Sequence, residues 1–214
     1  MPFTPEQFFD VFADYNRAVY PMQFVLVFLA LTAIFLSFKR GERSNRSITA
    51  ILAFLWLWMG VVYHGLFFAK INEAAFLYGA FFVLQGMILL YAGFLKNRLS
   101  FCFRRNTSGV IGVILILYAL VIYPLLGRIF GHIYPHSPTF GLPCPTTIFT
   151  FGILLWTDKP IPWYVLPIPL VWSLIGLPAA FSLGIREDLA LPIAGLVTAC
   201  MVWRNRTSEK RKDV

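Results

Sequence analysis

Long apolar runs, each closed by a short charged connector, constrain this chain more than any other feature. They fall at 20–38, 48–69, 74–95, 109–130, 145–157, 163–183 and 189–203. A bilayer crossing takes about 20 apolar residues. Runs one to four and six reach that length, and the fifth and seventh fall short. Overall 58% of the residues are hydrophobic and 13% are charged. A soluble domain carries about 25% charged residues and must present much of its surface to water. The expected class is therefore all-α: a polytopic membrane protein with seven transmembrane helices.

Charge sets the expected orientation. Connector 39–46 holds Lys39, Arg40, Arg43 and Arg46, and connector 96–105 holds Lys96, Arg98, Arg104 and Arg105. With Lys159 and the tail, 14 of the 18 basic residues fall on one side. The positive-inside rule then puts the N-terminus out and the C-terminus in. The expected organisation is one transmembrane domain over 1–203, with a basic cytoplasmic tail at 204–214. The expected home is an inner (cytoplasmic) membrane. The net charge of +8 is explained by these connectors and does not call for nucleic acid.

Residues 1–19 contain Glu6, Asp10 and Asp14 and lack the basic start of a signal peptide. Thr4, Pro5 and Gln7 form a helix-start signature. Phe8, Phe9 and Phe12 share one side of that helix, which predicts an amphipathic segment lying in the headgroup layer.

Three stretches, WLWMGVVYHGLFFAKINEAAF (56–76), PHSPTFGLPCPTTIFTFGILL (135–155) and VWSLIGLPAAFSLGIREDLALPIAG (171–195), together with FDVFADYNRAVYP near the start, carry a resemblance. They resemble a family of bacterial multi-pass membrane proteins known only as a domain of unknown function. The resemblance implies a membrane protein and supplies no activity and no catalytic residue.

The unusual polar residues gather on the expected outer side. His64 lies near the end of run two, His132 and His136 follow run four, and Cys144 opens run five. Imidazole and thiolate suit zinc or copper, so His64, His132, His136 and Cys144 form a candidate ligand set. Pro135 disfavours a helix carrying His132 and His136, so any such site must be built by a loop. In Pro143-Cys144-Pro145-Thr146-Thr147, the reading places Pro145 at the first helical position and Cys144 at the cap. A helix start lowers a thiol pKa and favours anions. The short fifth run and its prolines predict a re-entrant loop before helix five, a usual pointer to a substrate site.

Lys70, Asn72 and Glu73 in one turn, and Arg186, Glu187 and Asp188 in another, read as solvated turn residues. No ionisable residue falls mid-span. That argues against a proton pump, a voltage sensor, an ion-coupled carrier with a buried charge and a retinal protein. The leading functional expectation is binding or transport of a small solute, an anion or a soft metal ion. Its pocket would face outward, formed by helices two, four and five and loop 131–144. The candidate binding residues are His64, His132, His136, Cys144, Thr146 and Thr147. The alternatives are a membrane-embedded metal-dependent hydrolase of lipid-like substrates and an accessory or structural membrane subunit; an oligomer is a possible assembly.

Overall fold

The computed structural model describes residues 2–210, so the last residues of the basic tail, 211–214, lie outside the described residues. Among the described residues there are helices and two isolated bridges, but no strand. The helices are α1 (Pro5–Ala18), α2 (Met22–Leu36), α3 (Glu42–Lys70), α4 (Ala75–Leu95), α5 (Thr107–Ile129), α6 (Pro143–Leu154), α7 (Trp163–Leu183) and α8 (Ala190–Lys210). Every apolar run is helical. Four helices, α3, α4, α5 and α7, are long and apolar enough to cross a membrane. The count rises to five if α1 and α2, bent 84° apart, act as one broken span.

The helix α1 starts as its sequence requires. Thr4 Oγ1 accepts the Gln7 N–H, and Gln7 Oε1 accepts the Thr4 N–H, closing a capping box before Pro5. Its apolar face does not stand free. Val11, Phe12 and Tyr15 are buried, and the Tyr15 hydroxyl accepts from Trp58 Nε1 at 2.8 Å. Phe3 and Phe8 pack on Phe68. The amphipathic stripe faces protein because α3 offers it a ready aromatic surface.

The helix α6 explains the interior. Eleven of its residues, from Pro143 to Leu154 apart from Cys144, are buried, and it packs on α5, α7 and α8. A helix apolar all round belongs in a core. Twelve residues give only about 18 Å of length, against roughly 30 Å of hydrocarbon in a bilayer. Its C-terminal end lies at the basic end of the bundle, where Trp156 O accepts the Cys102 N–H at 2.7 Å. The basic connectors meet there too, through Arg104–Asp158 at 3.7 Å, Asp158 N to Ser100 O at 3.0 Å and Phe103 N to Ser37 O at 3.0 Å. At its other end α6 stops short, and the space beyond is left to loop 131–142, α1 and a cavity.

Two glycine pairs allow the close packing. A Cβ on Gly60 would sit 2.7 Å from Gly79 O, so α3 and α4 touch backbone to backbone. A Cβ on Gly112 would sit 2.8 Å from Gly152 O, which brings α5 equally near α6. The outer faces of α2, α4 and α7 expose large apolar side chains, among them Phe28, Phe35, Phe76, Leu174 and Phe181.

Candidate functional site

The helix α3 changes winding where the candidate site begins. Residues Met59–Phe67 form a π-helical stretch, a winding uncommon in general and frequent at functional sites. Within it Tyr63 and His64, adjacent in sequence, are both buried. In α5, the stretch Tyr118–Ile122 is also π-wound. It precedes Pro124, whose ring would clash with a carbonyl four residues back in a regular helix. The relaxed winding leaves Tyr118 and Tyr123 both reaching toward the connector after α7.

That connector turns inward. Gly184, at φ +73°, ends α7 in a left-handed cap, and the Ile185 N–H returns to Ala180 O at 3.0 Å. Arg186 stays exposed against the Phe130 ring, while Glu187 and Asp188 are 0% and 5% exposed. The reading of all three as solvated turn residues is therefore corrected for the two acids. The physical reason is that partners await them. The Tyr118 hydroxyl donates to Glu187 O at 2.7 Å, the Tyr123 hydroxyl donates to Asp188 Oδ1, and His132 Nδ1 lies 2.7 Å from Glu187 Oε1. Burial pushes the Asp188 carboxyl up from 3.8 to about 7. Its hydrogen bonds with Tyr123 and Cys144 oppose that rise, and the Glu187 charge adds to it.

These residues stand at a cavity of about 550 Å³ between α1, α3, α4, α7, the start of α6 and the connector. His64, Cys144, Trp172 and Asp188 line its polar part, and Phe8 and Phe12 of α1 close over it. His64 is 0% exposed, and neither ring nitrogen has a hydrogen-bond partner. Five aromatic rings, those of Tyr63, Phe68, Tyr78, Phe82 and Trp172, surround it with centroids 4.7 to 6.0 Å away. A buried polar group without a partner costs about 1–3 kcal/mol, so two bare nitrogens in one cavity wall mark a place prepared for something else.

The expected site residues do not all converge. His64 and Cys144 share this cavity. His132 sits on Glu187 and faces a second cavity of about 630 Å³. His136 is exposed and lies 3.5 Å from Asp10. Thr146 and Thr147 are buried inside α6. Thr146 Oγ1 accepts the Gly141 N–H at 3.1 Å, and Thr147 Oγ1 has no partner. Among the described residues no group of three or more His, Cys, Asp or Glu is placed to hold a metal ion. The set His64, His132, His136 and Cys144 is thus spread over three surroundings, because loop 131–142 runs toward α1 and not toward α3.

The helix start also differs from its expected form. Leu142 is the cap and Pro143 the first helical residue, so Cys144 lies inside the first turn. Pro143 and Pro145 have no N–H, and the Thr146 N–H goes to Leu142 O at 3.3 Å. The cradle of free amides that would hold an anion is therefore missing. Reactive thiols sit beside cations, whereas the thiol of Cys144 has the Asp188 carboxyl as its neighbour.

Loop 131–142 is pinned by Asn16 of α1. Asn16 Nδ2 donates to Pro135 O at 2.6 Å and Ser137 O at 2.8 Å, and Asn16 Oδ1 accepts from Thr139 Oγ1 at 2.7 Å. Asn16→Ala removes all three bonds at a fully buried position. We expect a loss of about 2–4 kcal/mol of stability, with faster amide exchange confined to loop 131–142 and α1. Exchange followed by mass spectrometry checks this, and unchanged protection of the loop would remove Asn16 as its anchor.

The fold and the site define a class: an all-helical bundle, apolar on its outer faces, that buries two adjacent acids beside an aromatic cavity. The chain belongs to DUF6064, a family of unknown function, whose model matches residues 5–213. No curated protein and no solved structure matches it.

Proposed function

We propose that this chain is an integral membrane protein, crossing the bilayer seven times with its basic connectors in the cytoplasm. In this reading it binds a small, mainly apolar solute in the cavity beneath α1, as the receptor or carrier of that solute. Support for the membrane setting comes from the apolar outer faces of α2, α4 and α7 and from the clustering of basic connectors at one end. Support for binding rests on one observation above all: His64, wholly buried in the cavity wall with both ring nitrogens unpartnered. The proposed outward-facing pocket takes in the end of the second span (α3), Tyr123 of the fourth (α5), the start of the fifth (α6) and Pro138 and Leu142 of loop 131–144. Its remaining walls come from α1, α4, α7 and the connector after α7. Anion and soft-metal versions find less support, given the missing amides and the scattered histidines.

The test uses purified protein in detergent and 2-naphthylmethanol, a neutral aromatic probe that the cavity volume accommodates. Titration is expected to give saturable binding to one site per chain. Ala179 lines the cavity, so Ala179→Phe should fill it and weaken binding at least about tenfold. Linear, unsaturable partitioning that is equal in both proteins would overturn the proposal.

A further inference from the structure

We propose that the cavity selects an organic cation, a protonated amine on a flat apolar body, whose ammonium group is held by Asp188. This deepens the binding reading given above and rests on it. Three observations carry it. First, the described lining of the cavity contains the Asp188 carboxyl but no lysine or arginine. The protein groups that touch that carboxyl, the Tyr123 hydroxyl and the Cys144 thiol, are neutral donors that orient it without balancing its charge. The adjacent acid does have a partner of its own: Glu187 is held by His132 at 2.7 Å. Asp188 is therefore the one acid of this pair left for a ligand to match.

Second, the walls are aromatic. Tyr63, Phe68, Tyr78 and Trp172 all line the cavity, and ammonium groups are attracted to such ring faces. A flat apolar body would pack against the same rings. Third, His64 offers an acceptor. A neutral imidazole has one N–H and one bare nitrogen, and neither has a partner here. Both can meet polar atoms on the body of the ligand once its entry turns the ring out of the wall. A neutral alcohol of the same shape would keep the packing but lose the ion pair. An anion would meet the carboxyl head-on.

The experiment compares 2-naphthylmethylamine with 2-naphthylmethanol, two probes of nearly equal size, by titration at about pH 8, where the amine is charged and Asp188 is ionised. The wild-type chain is expected to bind the amine at least about tenfold more tightly than the alcohol. Asp188→Asn keeps an oxygen that can accept from Tyr123, so the turn retains its hydrogen bond. In that variant the preference for the amine over the alcohol should fall to about twofold or less. A wild-type chain that binds both probes alike would overturn the amine assignment and leave the cavity-binding proposal standing. Failure of both probes to bind would overturn the two proposals together. Retention of the amine preference in a folded Asp188→Asn protein, checked by its melting transition, would remove Asp188 from the role given to it.

Discussion

Asp188→Asn is expected to melt at a higher temperature than the wild-type chain at neutral and alkaline pH, and the two should converge in acid. The sign follows from linkage. Burial raises the folded-state pKa of Asp188 from 3.8 to about 7, so the native chain holds its proton more tightly than the unfolded one. Stability is then greatest below the unfolded value, falls as pH rises from about 4 to about 7, and levels off above that. Such a rise in pKa corresponds to on the order of 4 kcal/mol. Asparagine mimics the protonated carboxyl, so the variant escapes that loss. The titratable groups facing Asp188 are Tyr118 and Tyr123 of α5, Tyr63 of α3, Cys144 of α6 and Glu187 of its own turn. His132 reaches it only through Glu187. All of these remain in the variant, so the difference between the two melting curves isolates Asp188. Thermal unfolding in detergent from about pH 4.5 to 8.5 provides the measurement. Parallel curves across that range would show that the carboxyl titrates as if exposed.

The sequence made the helices legible because apolar runs have only a few ways to satisfy their backbones. Runs 48–69, 74–95, 109–130 and 163–183 each correspond to a helix within a few residues. The capping box at Thr4 and Gln7 was equally readable, since it is local chemistry. The cavity was only half readable. His64 and Cys144 stood out as rare polar residues, and the structure places both in its wall. Trp172 and Tyr78 did not, because an aromatic residue in an apolar helix looks the same whether it faces lipid, a neighbour or a hollow. Glu187 and Asp188 were misread for a different reason. A charged triplet between two apolar runs normally marks a turn in water, and nothing in Gly184-Ile-Arg-Glu-Asp-Leu announces that Tyr118 and Tyr123 lie waiting some 65 residues earlier. A faint signal existed in the brevity of the connector. With only a handful of residues between two apolar helices, the turn has little reach into solvent. The convergence of the three histidines failed because it depended on loop direction. Asn16 draws loop 131–142 toward α1, through contacts 119 to 123 residues apart in sequence. No local pattern encodes such a contact.

The second large effect is expected at His132. Its ring nitrogen lies 2.7 Å from Oε1 of the wholly buried Glu187, whose Oε2 has no hydrogen-bond partner. Removing one member of a buried pair strands the other, at a cost of about 3–5 kcal/mol. His132→Ala is therefore expected to lower stability by that amount, measured by chemical or thermal unfolding at neutral pH. Glu187→Gln in the same chain should restore half or more of the loss, because an amide can be buried with fewer partners than a carboxylate. A double-mutant cycle would then report a coupling of more than about 1 kcal/mol. Additive effects would mean that His132 acts through packing on Phe9, whose ring lies 4.7 Å from its own, and not through its contact with Glu187. The pair also bears on the cavity. Glu187 adds to the upward push on Asp188, so Glu187→Gln should lower the pH at which Asp188 ionises. The stability step described for Asp188 should then move toward acid in this background. A step that stays in place would show that the two neighbouring acids do not feel each other, and that the charge presented to the cavity is set by Asp188 and its burial alone.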